Sequence, residues 1–145
     1  MNASLAFNNI EDITPLEGCI DHSGLPTVDL SFNRLTSAES LSEERFGIIL
    51  LHGNDSRIGT TLREGIKPGL ISLPWDDGLL DRGKSTNDGI YLVDCPKVKQ
   101  VKAKEIYPYC HLVTEQELMK GLYDGSISYY ERLNYNYPYE VYQNR

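Results

Sequence analysis

Phe46-Gly-Ile-Ile-Leu-Leu-His52-Gly53 is a continuous apolar run of strand length, entered by Glu44-Arg45 and closed by His-Gly. Such a run, flanked by polar residues and too short for a buried helix, predicts a buried central strand. Downstream lies a second run of the same kind, Gly89-Ile-Tyr91-Leu-Val-Asp94, with one tyrosine inside it. A histidine at one strand end and a tyrosine on a nearby strand can hold one small polar ligand from two sides. The fold and the function are read outward from this pair.

Between the two runs the residues punctuate clearly. Asn54 or Asp55 can cap a following helix by accepting from the free N–H groups of its first turn. Ile58, Leu62 and Ile66 recur every four residues and predict one face of a helix over 56–65. Gly65 stands where a left-handed residue ends a helix, and Pro68 blocks continuation. Residues 67–88, with Pro68, Gly69, Pro74, Asp76-Asp77-Gly78 and Gly83, read as one long loop. A loop of that length without structure of its own is usually functional or disordered. Trp75, the only tryptophan, is expected to pack over a pocket or onto the core.

On either side the patterns are weaker. Residues 1–44 read as a polar arm, part of the domain or packed on it, with the first dozen residues a candidate for disorder. Within the arm, Thr27–Phe32 alternates like a short strand, and Ser37–Arg45 reads as a short helix. Residues 45–145 form the main domain. There, Val98–Val101 and Glu105–Val113 read as further strand material. Thr114-Glu-Gln-Glu117 is a capping box that opens a helix through Leu118 and Leu122, ending near Gly125. Tyr139–Tyr142 predicts a last strand. No internal repeat is read. Strand, helix and strand mix without a βαβ rhythm, which predicts an α+β fold.

Composition bounds the partners. The net charge is −7, which argues against nucleic acid or an anionic membrane as the main partner. Residues 45–104 nevertheless hold ten Lys/Arg against seven Asp/Glu, so the basic residues gather around the two runs. That suits a phosphate-bearing small ligand, and chance clustering on a solvated face explains it equally well. The three cysteines show no CxxC or Cys/His cluster, so no metal is expected and free thiols are. The start of the chain lacks the basic and apolar stretches of a classical signal peptide.

The order of a strand ending in His52-Gly53, then Leu62-Arg-Glu-Gly65-Ile66-Lys-Pro68, then Gly89-Ile90-Tyr91 resembles the core of ADP-ribosyltransferases of the diphtheria-toxin and poly(ADP-ribose) polymerase type. The resemblance covers about residues 46–95. It implies two small packed antiparallel or mixed sheets with flanking helices, and NAD as substrate. His52 would bond a ribose hydroxyl, the Gly53 backbone the carboxamide, and Tyr91 would stack on the nicotinamide ring. Arg57, Arg82 or Lys84 would lie near the pyrophosphate. The family's third residue, a glutamate that stabilises developing positive charge, would be Glu140, with Glu131 second. Asn54 departs from the serine or threonine that commonly follows His-Gly, and the helix to Gly65 is about one residue short.

The implied activity is an NAD-dependent mono-ADP-ribosyltransferase acting on an acceptor, a protein before a nucleic acid. Its setting would be a bacterial toxin, injected effector or phage protein, cytoplasmic or delivered into a host cell without a classical signal. The alternative is a catalytically degenerate domain that works as a protein-interaction module. An RNA 2′-phosphotransferase type is disfavoured by the negative charge.

Overall fold

A computed structural model describes residues 2–16, 27–41, 47–61, 70–74, 89–94, 103–105, 109–127 and 143. Six strands appear among them: β1 (Asn2–Ser4), β2 (Thr27–Asp29), β3 (Ile48–Leu50), β4 (Leu70–Pro74), β5 (Ile90–Val93) and β6 (His111–Val113). An α-helix, α1 (Glu115–Asp124), follows β6, residues 103–105 are also helical rather than the strand expected from Glu105, and two 3-10 turns lie at Thr14–Leu16 and Ile58–Thr61. The strands form one sheet in the order β1-β2-β3-β4-β5-β6. All five pairings are parallel.

The α+β class therefore stands, but the expected antiparallel or mixed pair of sheets is replaced by a single parallel sheet. The physical reason is the connection length. Each strand is separated from the next by more than the dozen residues that a parallel return needs. Each return places the next strand beside the last, so the chain advances one strand per coil.

The register sets two faces. Val28 pairs with Ile49, Ile49 with Ile71, and Ile71 with Ile90. Two residues on, Leu73 pairs with Leu92 and Leu92 with Leu112. These rows, with Leu30 and Leu51, fill one apolar core. Leu35, Ala38, Leu41, Ile58 and Ala103, contributed by the connections, close that core from outside the sheet. The opposite face carries Ile48, Leu50 and Leu70, and Met119 of α1 is buried with them. Because successive strand residues point to opposite faces, the fully apolar β3 serves both layers at once.

Several local expectations change. Residues 70–74, read as part of a long loop, form β4. Ile71 pairs with Ile49 and Ile90, Leu70 with Ile48 and Leu73 with Leu92, and all three are buried, which outweighs the proline and glycine signals around them. The first dozen residues begin with β1 rather than with disorder. Among the described residues, the helix expected over 56–65 is a 3-10 turn at Ile58–Thr61, and 37–41 are bends and turns. Of the strand material expected over 105–113, His111–Val113 is strand. The N-cap half of the capping box is present, with Thr114 Oγ1 accepting from the Glu117 N–H at 3.1 Å, and Gly125 ends α1 at φ +81°. Residues 98–101, Trp75 and 139–142 lie outside the described residues.

The absence of a repeat is also corrected. Leu5-Ala-Phe-Asn8, Leu30-Ser-Phe-Asn33 and Leu51-His-Gly-Asn54 are one motif, Leu-x-x-Asn, leaving the first three strands. Leu5, Leu30, Leu51, Leu73, Leu92 and Leu112 then follow at intervals of 19 to 25 residues.

Candidate functional site

The His52 region is built by that motif. In each of the first three coils the residue two after the leucine takes a left-handed backbone: Phe7 at φ 59°, Phe32 at 55° and Gly53 at 78°. Asp94, two after Leu92, repeats it at 57°. Bulky residues seldom adopt this conformation, so its recurrence marks a turn that these four coils share. At Gly53 a Cβ would meet the Phe32 ring at 2.6 Å, so the coil before it leaves no room for a side chain. Glycine after His52 is thus explained by packing and turn geometry. The rings stack along the coils, with Phe7 on Phe32 at 4.7 Å and Phe32 edge-on to His52 at 5.2 Å.

Asparagine follows this turn and ties the coils together. Asn33 Nδ2 donates to the carbonyls of Leu30 at 3.0 Å in its own coil and Leu5 at 2.9 Å in the previous one. Its Oδ1 accepts from the Ile10 N–H at 3.1 Å. Asn54 repeats the set one coil later. Nδ2 donates to Leu51 and Leu30 carbonyls at 3.0 and 2.8 Å, and Oδ1 accepts from the Leu35 N–H at 3.0 Å. Asn54 is therefore a rung between coils, while the Asp55 carboxylate accepts from the Arg57 N–H at 2.9 Å.

His52 is fully buried. Its Nδ1 lies 2.7 Å from Ser72 Oγ on β4. That hydroxyl oxygen also accepts from the N–H groups of Leu51 at 3.1 Å and His52 at 3.4 Å. With its lone pairs so engaged, the hydroxyl donates its one proton to Nδ1, which fixes the Nε2–H tautomer. Burial pushes the imidazole pKa down to about 3, so the ring is neutral.

Tyr91 is paired in register with Ser72, so His52 and Tyr91 occupy the same face of the sheet on either side of that serine. Tyr91 is half-buried, and its ring stacks on His111 of β6 at 4.5 Å and 14°. It packs into the layer beneath α1 with Met119 and Leu122. Arg57 is exposed and forks onto Asp55, with Nε at 3.0 Å from Oδ1 and Nη2 at 3.1 Å from Oδ2. This pair holds the Asp55 carboxyl below its usual pKa. Arg82, Lys84, Glu131 and Glu140 lie outside the described residues.

The same face buries more polar groups than sequence reasoning singled out. Asp29 Oδ1 accepts from the N–H of Ser31 at 3.0 Å and its hydroxyl at 2.7 Å, and both residues are buried. Asn33, Ser72 and His111 were likewise not anticipated. The signal that finds Asn33 is the threefold Leu-x-x-Asn. Among the described residues no group of three or more His, Cys, Asp or Glu could hold a metal. Among the same residues no helix is long and apolar enough to cross a membrane. No protein-family model, curated protein or solved structure matches this chain.

Proposed function

We propose that the chain is a short solenoid of the leucine-rich-repeat type and works as a protein-interaction module. The observation that carries this reading is the asparagine ladder. The repeat signature of that class is L-x-x-L-x-L-x-x-N-x-L, one strand per unit of about 20–29 residues. Leu25-x-x-Val28-x-Leu30-x-x-Asn33-x-Leu35 fits it at every position. Phe46-x-x-Ile49-x-Leu51-x-x-Asn54 fits it through the asparagine, and Ala3-x-Leu5-x-x-Asn8-x-Ile10 from its second position. Ile90-x-Leu92-x-x-Cys95 carries the cysteine that the signature allows. Stacked units of this kind present extended surfaces, and binding is their usual work.

A mono-ADP-ribosyltransferase is the second reading. The placement of His52 and Tyr91 on one face, with Ser72 between them, favours it. Against it, His52 is buried and neutral with Ser72 on Nδ1, and Phe32 packs against both its ring and Gly53. Incubation with NAD separates the two. The interaction module releases nicotinamide only at the background rate. Turnover lost in both Tyr91→Ala and Glu140→Ala would instead establish the transferase.

A further inference from the structure

We propose that the sheet face beneath α1 is the module's docking surface for an amphipathic helix of a partner protein, with α1 its displaceable occupant; this rests on the solenoid reading. The two faces of the sheet are covered differently. Leu35, Ala38, Leu41, Ile58 and Ala103, all from connections, pack on the first face. On the opposite face β3, β4 and β5 contribute Ile48, Leu50, Leu70 and Tyr91 to one cluster. Among the described residues its cover is Phe32 of the turn after β2, Met119 and Leu122 of α1, and Ile127 just beyond the helix. The register makes the patch continuous: Ile48 pairs with Leu70, and Ser72 stands between Leu50 and Tyr91. With α1 lifted, these side chains face water, and an apolar patch of this kind calls for a partner.

The seat of α1 is firm at one end and partial at the other. The Glu115 N–H donates to Asp94 Oδ1 at 3.0 Å, which anchors the helix at the end of β5. Leu118 and Met119 are fully buried, whereas Leu122 and Ile127 are half-buried. The far end closes on its own chain. The Ile127 N–H donates to the Gly121 carbonyl at 3.0 Å, and the Ser126 N–H to Asp124 Oδ1 at 2.9 Å. Residues 115–127 therefore carry their own closure and can lift as one piece about Thr114. A helix of 10 residues with a glycine inside is marginal once it leaves a packing surface, which favours exchange for a more stable helix.

The occupant already on the face identifies the partner's chemistry. It is a helix whose Leu118, Met119 and Leu122 are neighbours on one side, with Met119 buried among the strand residues. An apolar groove reads a helix through side chains so spaced, and an unbranched methionine adapts to the groove it enters. A partner helix with the same spacing makes the same contacts. A second copy is a poor donor, because Thr114 alone separates its α1 from its β6 and ties the helix to its own sheet.

A labelled synthetic peptide of residues 114–127, titrated into the full chain and followed by fluorescence anisotropy, tests this. Met119→Gln in the chain loosens the resident helix, so more molecules are open and affinity for the peptide should rise about tenfold. Met119→Gln in the peptide should lower affinity about tenfold or more, and Tyr91→Ala in the chain should weaken binding. Should Met119→Gln fail to fold by circular dichroism, Leu122→Ala at a half-buried position carries the same test with a smaller rise. Absence of binding to the wild type and to the loosened chains, or equal affinity for all of them, overturns the proposal. So does light scattering that shows the chain dimerising until Met119→Gln is introduced, because the face then belongs to a second copy. Failure of the solenoid itself is read separately, in the unfolding of Asn33→Ala and Asn54→Ala.

Discussion

His52 decides between two accounts of this molecule. Its Nδ1 accepts from Ser72 and its ring is buried, so the folded state resists protonation down to about pH 3. In the unfolded chain an ordinary imidazole protonates near pH 6.5. Between these values the unfolded state binds more protons, so stability rises with pH across that window and falls as the solution is acidified. The slope from this one residue is at most about 1.4 kcal/mol per pH unit. Urea titrations from pH 7 to pH 4 check it, and His52→Phe should flatten the slope. Nitrogen-15 spectra at pH 5 should show a neutral Nε2–H ring. Gly53 belongs to the same argument. Its φ of 78° and the Phe32 ring 2.6 Å from a built Cβ make Gly53→Ala costly, about 1–3 kcal/mol by denaturant unfolding. The His-Gly pair was legible as special in the sequence. Its cause was not, because packing against a residue 21 positions earlier leaves no local mark.

At the scale of elements, the signals that read correctly were local ones. The Thr114 N-cap of α1 and its glycine stop are short-range chemistry, and both are found where the residues place them. Thr114→Ala should cost about 1 kcal/mol, measured by the same unfolding. Beta strand β3 was legible because six apolar residues in a row leave few alternatives. Strand β4 was not. Its Gly69 and Pro74 neighbours suggest a loop, and what makes 70–74 a strand is the pairing of Ile71 with Ile49 and Ile90, both distant in sequence. Of the helix expected after Asn54 or Asp55, the described residues form the 3-10 turn Ile58–Thr61, and Asp55, not Asn54, accepts from the first free N–H, that of Arg57. The Asn54 side chain, free to cap in an isolated segment, is committed to Leu30, Leu51 and Leu35 of two coils. Tertiary bonds outrank the local propensity.

For the whole molecule, the central claim is that β1, β2 and β3 belong to successive coils held by asparagine rungs, so that β1 and β2 share one sheet with the later strands. The motif that carries this, Leu-x-x-Asn at 5–8, 30–33 and 51–54, is visible in the sequence. It was obscured because its intervals differ, 25 residues and then 21, and because only three of the six coils carry the asparagine. A resemblance built on His-Gly and Gly-Ile-Tyr weighs the residues that differ between coils and passes over those that recur. Chemical denaturation of three matched variants tests the claim most directly. Asn33→Ala and Asn54→Ala each remove bonds to two coils and strand buried backbone groups, and each should lower the unfolding free energy by about 2–4 kcal/mol with the m-value unchanged. Asn8→Ala, whose bonds stay in its own exposed coil, should cost less than about 0.5 kcal/mol. An Asn33→Ala variant no less stable than Asn8→Ala would contradict the ladder, and with it the solenoid.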